Sequence, residues 1–327
     1  MKGIGIDLGT KNVLIYIKGK GIVLNEPSVV AIDTNTKKVL AVGNEASEMV
    51  GRTPGKVKIV MPMKDGVIDD FEMTEVMLNK FIKKAVGKTL LNKKKIVICC
   101  PTNITGIEKN AIKEMAERTG AKKVYVEEEV KVAAYGAGID ITKPSGSMVI
   151  DIGGGTTDIA ILCLGGIASS SSIRIAGNKF DEDIINYVKE KHKLLIGEKT
   201  AEDIKIKIGT VVKPRKKGEM EVKGRDLTTG LPKTVNVTSS EIEEALRDNV
   251  KKIIKEVKKV LESSLPELSA DIVEKGIILT GGGSLIEGFT EILKENLNVP
   301  VFQADSPLEN VVNGTGVLLE NIKLLEM

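Results

Sequence analysis

Near its start and again at its middle, the chain runs in short apolar stretches broken by glycine turns, the pattern of closely paired strands. Gly3–Asp7 (GIGID) ends in aspartate, Leu8–Asn12 (LGTKN) is a Gly/Thr turn, and Val13–Lys18 (VLIYIK) returns. Met148–Ile152 (MVIDI) carries Asp151 at its end, Gly153–Gly155 form the turn, and Ile159–Leu164 (IAILCL) is the partner strand. Both copies then reach a second glycine turn, Gly19–Gly21 and Gly165–Gly166, and a third apolar run. This is an internal duplication of one structural unit. A third glycine cluster closes the run Ile277–Gly283 (IILTGGG).

The remaining chain alternates strands and helices. Gly3–Leu8, Val13–Ile17 and Pro27–Asp33 start an antiparallel meander, and Val39–Pro62 is mixed. Asp70–Val86 has helical spacing through Phe71, Met77, Leu78, Phe81 and Ile82. Ile96–Cys100 is an apolar strand stopped by Pro101; Thr105 and Glu108 have capping-box spacing before a helix that Gly120 ends. Val124–Val126 is a short strand, and Val132–Gly138 starts helical. Strand–helix–strand–helix order extends a sheet in parallel with helices on its faces. In the second half Lys179–Gly209 is largely helical and Thr210–Thr238 is a basic, turn-rich β segment. Ser240 with Glu243 marks a second capping box, opening a long helix with Ile242, Leu246, Val250, Ile253, Ile254, Val257 and Leu261 on one face. Ile286–Leu293 is helical, Pro300–Phe302 a short strand, and Val311–Leu325 closes the chain. Glycines near Ala137–Lys143 and Asn310–Gly316 suit hinges between the halves.

With 327 residues the chain is long enough for two domains with cores of their own. It has no apolar run near the roughly 18 residues of a membrane span, and Met1 leads straight into the first strand without a signal-peptide pattern. Cys99 and Cys100 are neighbours in one apolar strand and Cys163 lies in another, which fits reduced core thiols in a cytoplasmic protein. A net charge of +3 is too small to argue for nucleic acid.

Glycine turns let backbone N–H groups point inward and make anion-binding concavities. Asp7 and Asp151, at strand ends, are placed to hold a hard cation, directly or through water. Gly9, Thr10 and Asn12 would donate from one hairpin, and Gly153, Gly154, Gly155, Thr156 and Thr157 from the other. Together these parts predict a cleft between two related halves that holds a phosphate chain and Mg²⁺.

DLGT at Asp7–Thr10, LNEPSVVAI at Leu24–Ile32, PSGSMVIDIGGGTTDIAI at Pro144–Ile161 and LTGGGSLIEGF at Leu279–Phe289 resemble the actin-like ATPases. Within them the match is to the bacterial cytoskeletal MreB family, extended by IGEKTAEDIKIKIG at Ile196–Gly209 and NGTG at Asn313–Gly316. The resemblance implies an α/β, actin-like (ribonuclease H-like) duplicated fold: two domains, each a mixed five-stranded sheet flanked by helices with a smaller inserted subdomain. It would divide the chain into residues 1–32, 66–144 and 312–327 as the first large subdomain and 33–65 as its small one. Residues 145–180 and 240–311 would form the second large subdomain, and 181–239 its small one. It further implies ATP or ADP with Mg²⁺ in the cleft, with Asp7 and Asp151 on the metal side. Glu129 aligns with the family's catalytic glutamate and Thr156 with its threonine partner in orienting the attacking water. Asp151 would assist. Glu202 and Lys205, three apart on one helical face, align with residues facing the ribose and base, and Gly281, Gly282 and Gly283 would pass near the α-phosphate and base.

Three positions depart from the family pattern, one of them Val13, where the family often has threonine. Val130 replaces a proline that would fix φ where a helix begins, which loosens the aim of Glu129. Lys11 replaces a small residue; a lysine beside a phosphate loop can neutralise the β- or γ-phosphate, though in a hairpin turn it ordinarily points to solvent.

The family also implies filaments of paired protofilaments involved in cell shape, at the inner face of the cytoplasmic membrane, with cell-shape membrane proteins as further partners. Here Leu90 and Leu91 sit among Lys83, Lys84, Lys88, Lys93, Lys94 and Lys95. Two leucines entering lipid would gain on the order of 1.5–3 kcal/mol each, and lysines at an anionic surface roughly 1 kcal/mol each. That is weak for one copy and strong for a filament. The alternatives are a small-molecule kinase of the same superfold, a chaperone-type ATPase, and a polymerising scaffold with little hydrolysis. The first needs a carboxylate base and a substrate-binding insert, the second a peptide-binding domain, and neither is legible in the chain.

Overall fold

A computed structural model of the chain describes residues 3–53, 55–87, 95–102, 104–214 and 218–325. Two five-stranded sheets organise it. In the first, Gly3–Leu8, Asn12–Ile17 and Gly21–Pro27 form an antiparallel meander, and Lys95–Cys100 then Lys123–Glu128 extend it in parallel from the Gly3–Leu8 edge. In the second, Ser147–Ile152, Thr157–Cys163 and Gly166–Ile173 repeat the meander, and Ile277–Thr280 then Val301–Gln303 add the parallel pair. Strand order and direction are the same in both, so the duplicated sequence pattern is a duplicated fold.

Each half carries an inserted three-stranded sheet. Val30–Asp33 pairs with Val39–Val42 and Val57–Val60 in the first, and Glu219–Asp226 with Leu194–Leu195 and Pro232–Thr238 in the second. The third strand of the first meander is therefore Gly21–Pro27, earlier than Pro27–Asp33, while Val30–Asp33 belongs to the small sheet. The apolar run is nearly continuous, but Pro27 cannot continue a ladder and the Ser28 hydroxyl donates to Gly9 O at 2.7 Å, turning the chain out of the sheet.

Helix Phe71–Val86 is capped by Asp70, which accepts from Met73 N, and buries Met77, Leu78, Phe81 and Ile82 as the spacing predicts. Thr105 and Glu108 form their capping box. The long helix Ser239–Glu262 buries the expected face, but its box is Thr238 with Glu241, two residues before Ser240 and Glu243. Both pairs satisfy the same spacing; Thr238 wins because it ends the Pro232–Thr238 strand with extended backbone, which a cap requires.

Two helices bind the halves together. Glu129–Gly136 leaves the first sheet and Asn310–Glu320 leaves the second. Their crossing is close because Gly136 and Gly314 lack side chains: a Cβ at Gly136 would lie 2.0 Å from Asn310 O, and one at Gly314 1.9 Å from Val132 O. The buried Asn310 amide donates to Ala133 O at 3.0 Å. One apolar cluster joins Val97 and Cys99 of the first sheet, Val149, Ala160 and Leu162 of the second, and both helices. The sheets thus share a core at one side. Cys99 faces this core and Cys100 the opposite one, and all three cysteines are free. Among the described residues no helix is long and apolar enough to cross a membrane.

Candidate functional site: a cleft between two aspartate-tipped hairpins

The two glycine hairpins close in the same way: Gly9 N donates to Asn12 O at 3.1 Å, and Gly153 N to Thr156 O at 2.9 Å. They meet tip to tip. A Cβ on Gly154 would lie 2.7 Å from Lys11 Cβ, and one on Gly155 2.6 Å from Thr10 Oγ1. Thr10 corresponds to Gly154 in the duplicated pattern and Lys11 to Gly155, so the two contacts are related by the pseudo-symmetry of the halves. Glycine is needed on the second loop because the first loop's side chains fill the space.

Asp7 and Asp151 stand towards the ends of their strands, close enough to Glu129 and Asp158 for the charges to act on one another. Burial raises Asp7 to about 7. Burial, then the charges of Asp158 and Asp7, raise Asp151 to about 8. Glu129 is pushed well above the ordinary carboxylate range by burial and then by Asp158, Asp7 and Asp151. Asp158, directly across the ladder from Asp151, is raised by burial, against hydrogen bonds that include Thr102 N at 2.9 Å. Among the described residues no cation is among the main influences on these acids, and a divalent ion with its water shell is the species such a group suits. Among the described residues no three acids, cysteines or histidines converge closely enough to chelate an ion directly.

Three consecutive glutamates, Glu127–Glu129, span the end of the strand and the start of the helix, and packing separates them. Glu127 pairs with Lys131 at 3.1 Å and Glu128 with Lys109 at 2.9 Å. Glu129 alone of the three joins the acid cluster. Its helix begins at Glu129 without the proline, and Val130 is fully buried in the shared core. Packing of that side chain anchors the helix start that a proline ring would otherwise restrict.

Other sequence-derived positions divide. Thr156 is buried beside the acids and is a hydrogen-bond partner of Asp158. The Thr157 hydroxyl donates to Ile175 O at 2.6 Å, and the Asn12 amide to Asn25 Oδ1 at 3.1 Å, so both side chains hold the scaffold. Gly153 and Gly154 carbonyls accept from Gly177 N and Asn178 N at 3.1 and 2.8 Å, seating the start of helix Gly177–His192 on the second loop. Gly281 lies against the Asp151 carboxylate and Gly283 against Ile152, while Gly282 opens a short 3₁₀ turn. Lys205 donates to Gly177 O at 2.9 Å and pairs with Asp181 at 2.7 Å. Lys11 does not run free into solvent: it pairs with Glu202 at 3.0 Å.

Two contributors escape the sequence reading. Asp158 is one, an aspartate almost wholly buried in an apolar strand, which is itself the signal. The other is the Asp65–Gly66 turn joining Met63–Lys64 to Val67–Ile68, with positive φ at both residues. Gly66 N donates to Thr10 Oγ1 at 2.9 Å, and a Cβ there would strike Thr156 Cγ2 at 2.7 Å. Asp-Gly between short apolar segments is a hairpin signature that marks it. Leu90, Leu91, Lys88, Lys93 and Lys94 lie outside the described residues.

Two halves of one topology, joined by a helix pair, define the actin-like fold. The crystal structure of MreB5 of Spiroplasma citri bound to ADP superimposes with a TM-score of 0.94 at 41% identity, covering 98% of this chain and 97% of that one. The MamK double helical filament, at 24% identity over 98% of both chains, matches with a TM-score of 0.81 and speaks for the fold alone. The family model for MreB/Mbl protein matches residues 1–327. The cell shape-determining protein Mbl of Bacillus cereus is 60% identical over 324 residues, 99% of this chain and 97% of its own. The chain belongs to the MreB/Mbl family.

Proposed function

We propose that this chain binds ATP with Mg²⁺ between its two halves, hydrolyses it, and assembles into cytoskeletal filaments at the membrane that take part in cell shape. The observation that carries this reading is the meeting of two aspartate-tipped glycine hairpins over buried acids. The relatives' printed names supply the cell-shape role, and the ADP-bound MreB5 structure supplies the ligand class. The division into four subdomains at the boundaries given above is part of the same proposal.

In this reading the backbone N–H groups of residues 10, 154 and 155 hold the phosphates, those of Gly9 and Gly153 being used to close the hairpins, and Asp7 and Asp151 order the water shell of the ion. Bound Mg²⁺ supplies neutralisation of phosphate charge. Glu129, with Thr156 beside it, orients the attacking water and accepts its proton; its raised proton affinity suits a general base. Glu202 accepts from the ribose hydroxyls, and Gly281–Gly283 border the base. Lys83, Lys84 and Lys95 flank the Leu90–Leu91 segment proposed to enter lipid. Lys84 also pairs with the buried Glu26, so part of its charge is spent within the fold.

Electron microscopy of the purified protein with ATP, with ADP and without nucleotide tests assembly, alongside phosphate release from wild type and Glu129→Ala. Filaments that depend on nucleotide, with release lost in the variant, support the reading. Equal release from both proteins removes the catalytic assignment and leaves a polymerising scaffold. Liposome co-sedimentation undiminished when Leu90 and Leu91 are both replaced by Ser removes the membrane anchor.

A further inference from the structure

We propose that Lys11 and Glu202 form a clasp across the mouth of the cleft, and that this ion pair governs how fast nucleotide leaves. Lys11 belongs to the first half's glycine loop; Glu202 lies on helix Glu198–Ile208 of the second. The ammonium stands 3.0 Å from Glu202 Oε1 and 3.9 Å from Asp181 Oδ2. Asp181, on helix Gly177–His192, is in turn held by Lys205 at 2.7 Å, and Lys205 donates to the Gly177 carbonyl. Charges therefore run plus, minus, minus, plus from one half into the other. Ion pairs elsewhere, such as Lys109–Glu128 and Arg118–Glu75, stay inside one half.

The inner part of this row is rigid. Asp181 and Lys205 side chains are only 6% and 10% exposed, whereas Lys11 and Glu202 are 44% and 31% exposed. Lys11 and Glu202 are thus the more exposed pair beside a buried one, and the Lys11 backbone is pinned on Gly154. Because its partners sit on the ribose-side helices, its charge is directed across the cleft opening. This rests on the nucleotide reading above: a ligand with its phosphates on the two loops and its sugar at Glu202 lies beneath the pair and leaves when the pair opens. Lys11 is a positioning residue here, acting through Glu202.

Partial exposure bounds the effect to about two- to five-fold in dissociation rate, and makes it salt-sensitive. The test follows release of radiolabelled ADP into an unlabelled chase, using the full-length protein at about 50 and about 500 mM salt. Wild type should release faster at high salt. Lys11→Ala should release about two- to five-fold faster at low salt and lose most of the salt dependence. Lys11→Arg should behave as wild type. Lys11→Glu combined with Glu202→Lys should release more slowly than Glu202→Lys alone, which lacks the same ribose acceptor. Wild-type release from Lys11→Ala, or a double reversal no slower than Glu202→Lys, overturns the clasp. Wild type that binds no ADP would instead overturn the nucleotide reading. Thermal denaturation of the same variants without nucleotide then supplies the test: the paired reversal must again recover what the single reversals lose, or the clasp falls too.

Discussion

The two hairpins share a backbone and differ in what they carry. At the first, Asp7 faces Leu14 across the ladder and the loop bears threonine and lysine side chains. At the second, Asp151 faces a further acid, Asp158, and the loop is bare glycine. The half with the surplus negative charge offers only backbone donors, while the half with one acid supplies the side chains that fill the space between the loops. Duplication preserved the frame, and the division of labour arose where the copies touch.

The most severe break should come from the acid that belongs to neither hairpin. Glu129→Gln keeps the shape but removes the proposed base, so phosphate release should fall by at least about 100-fold with ADP binding retained. A loss of only a few-fold would move catalysis elsewhere. Next, Gly155→Ala places a methyl 2.6 Å from Thr10 Oγ1 and 2.9 Å from Asp65 Cα. It should destabilise the protein by about 1–3 kcal/mol and weaken ADP binding, whereas Lys11→Ala at the corresponding first-loop position should leave stability within about 1 kcal/mol. Equal losses in denaturant titrations would contradict the asymmetry.

Acidity separates the halves further. Asp7 and Asp151 are held near 7 and 8 in the folded chain, against ordinary values near 4 when unfolded. Folding takes up protons between these limits, so stability without divalent ions should fall as pH rises from about 5 to about 8. Asp158→Asn removes one charge that raises Asp151 and should flatten that slope; thermal midpoints in chelator at both pH values check it. An unchanged slope would show that burial alone sets it. The smallest expected effect concerns corresponding helices. Thr238→Ala removes the hydroxyl's two bonds with Glu241 while the Thr238 N–H keeps its own to Glu241 Oε2, and Asp70→Ala removes a single cap, so each should cost about 1 kcal/mol.

Much of the architecture was legible because strands and helices write their burial into local spacing. The apolar runs ending in Asp7 and Asp151, the Ile242–Leu261 face and the Thr105–Glu108 box needed only near neighbours. The errors fell where two local answers were equally good. Thr238–Glu241 and Ser240–Glu243 both fit a cap, and Leu24–Ile32 hides the turn between two sheets. Asp65–Gly66 was readable as a turn, but its place beside Thr156 was not.

By itself, then, the chain's order of residues determined the repeated strand–aspartate–glycine unit, the helix faces and the membership of Glu129 among three candidates. Tertiary structure decided which glutamate keeps company with the buried acids, that Asp158 joins them, and that Lys11 reaches Glu202. Spacing along a chain records only which side of an element is apolar. Partners more than a hundred residues apart are chosen when two cores pack, and there volume and charge must balance in space.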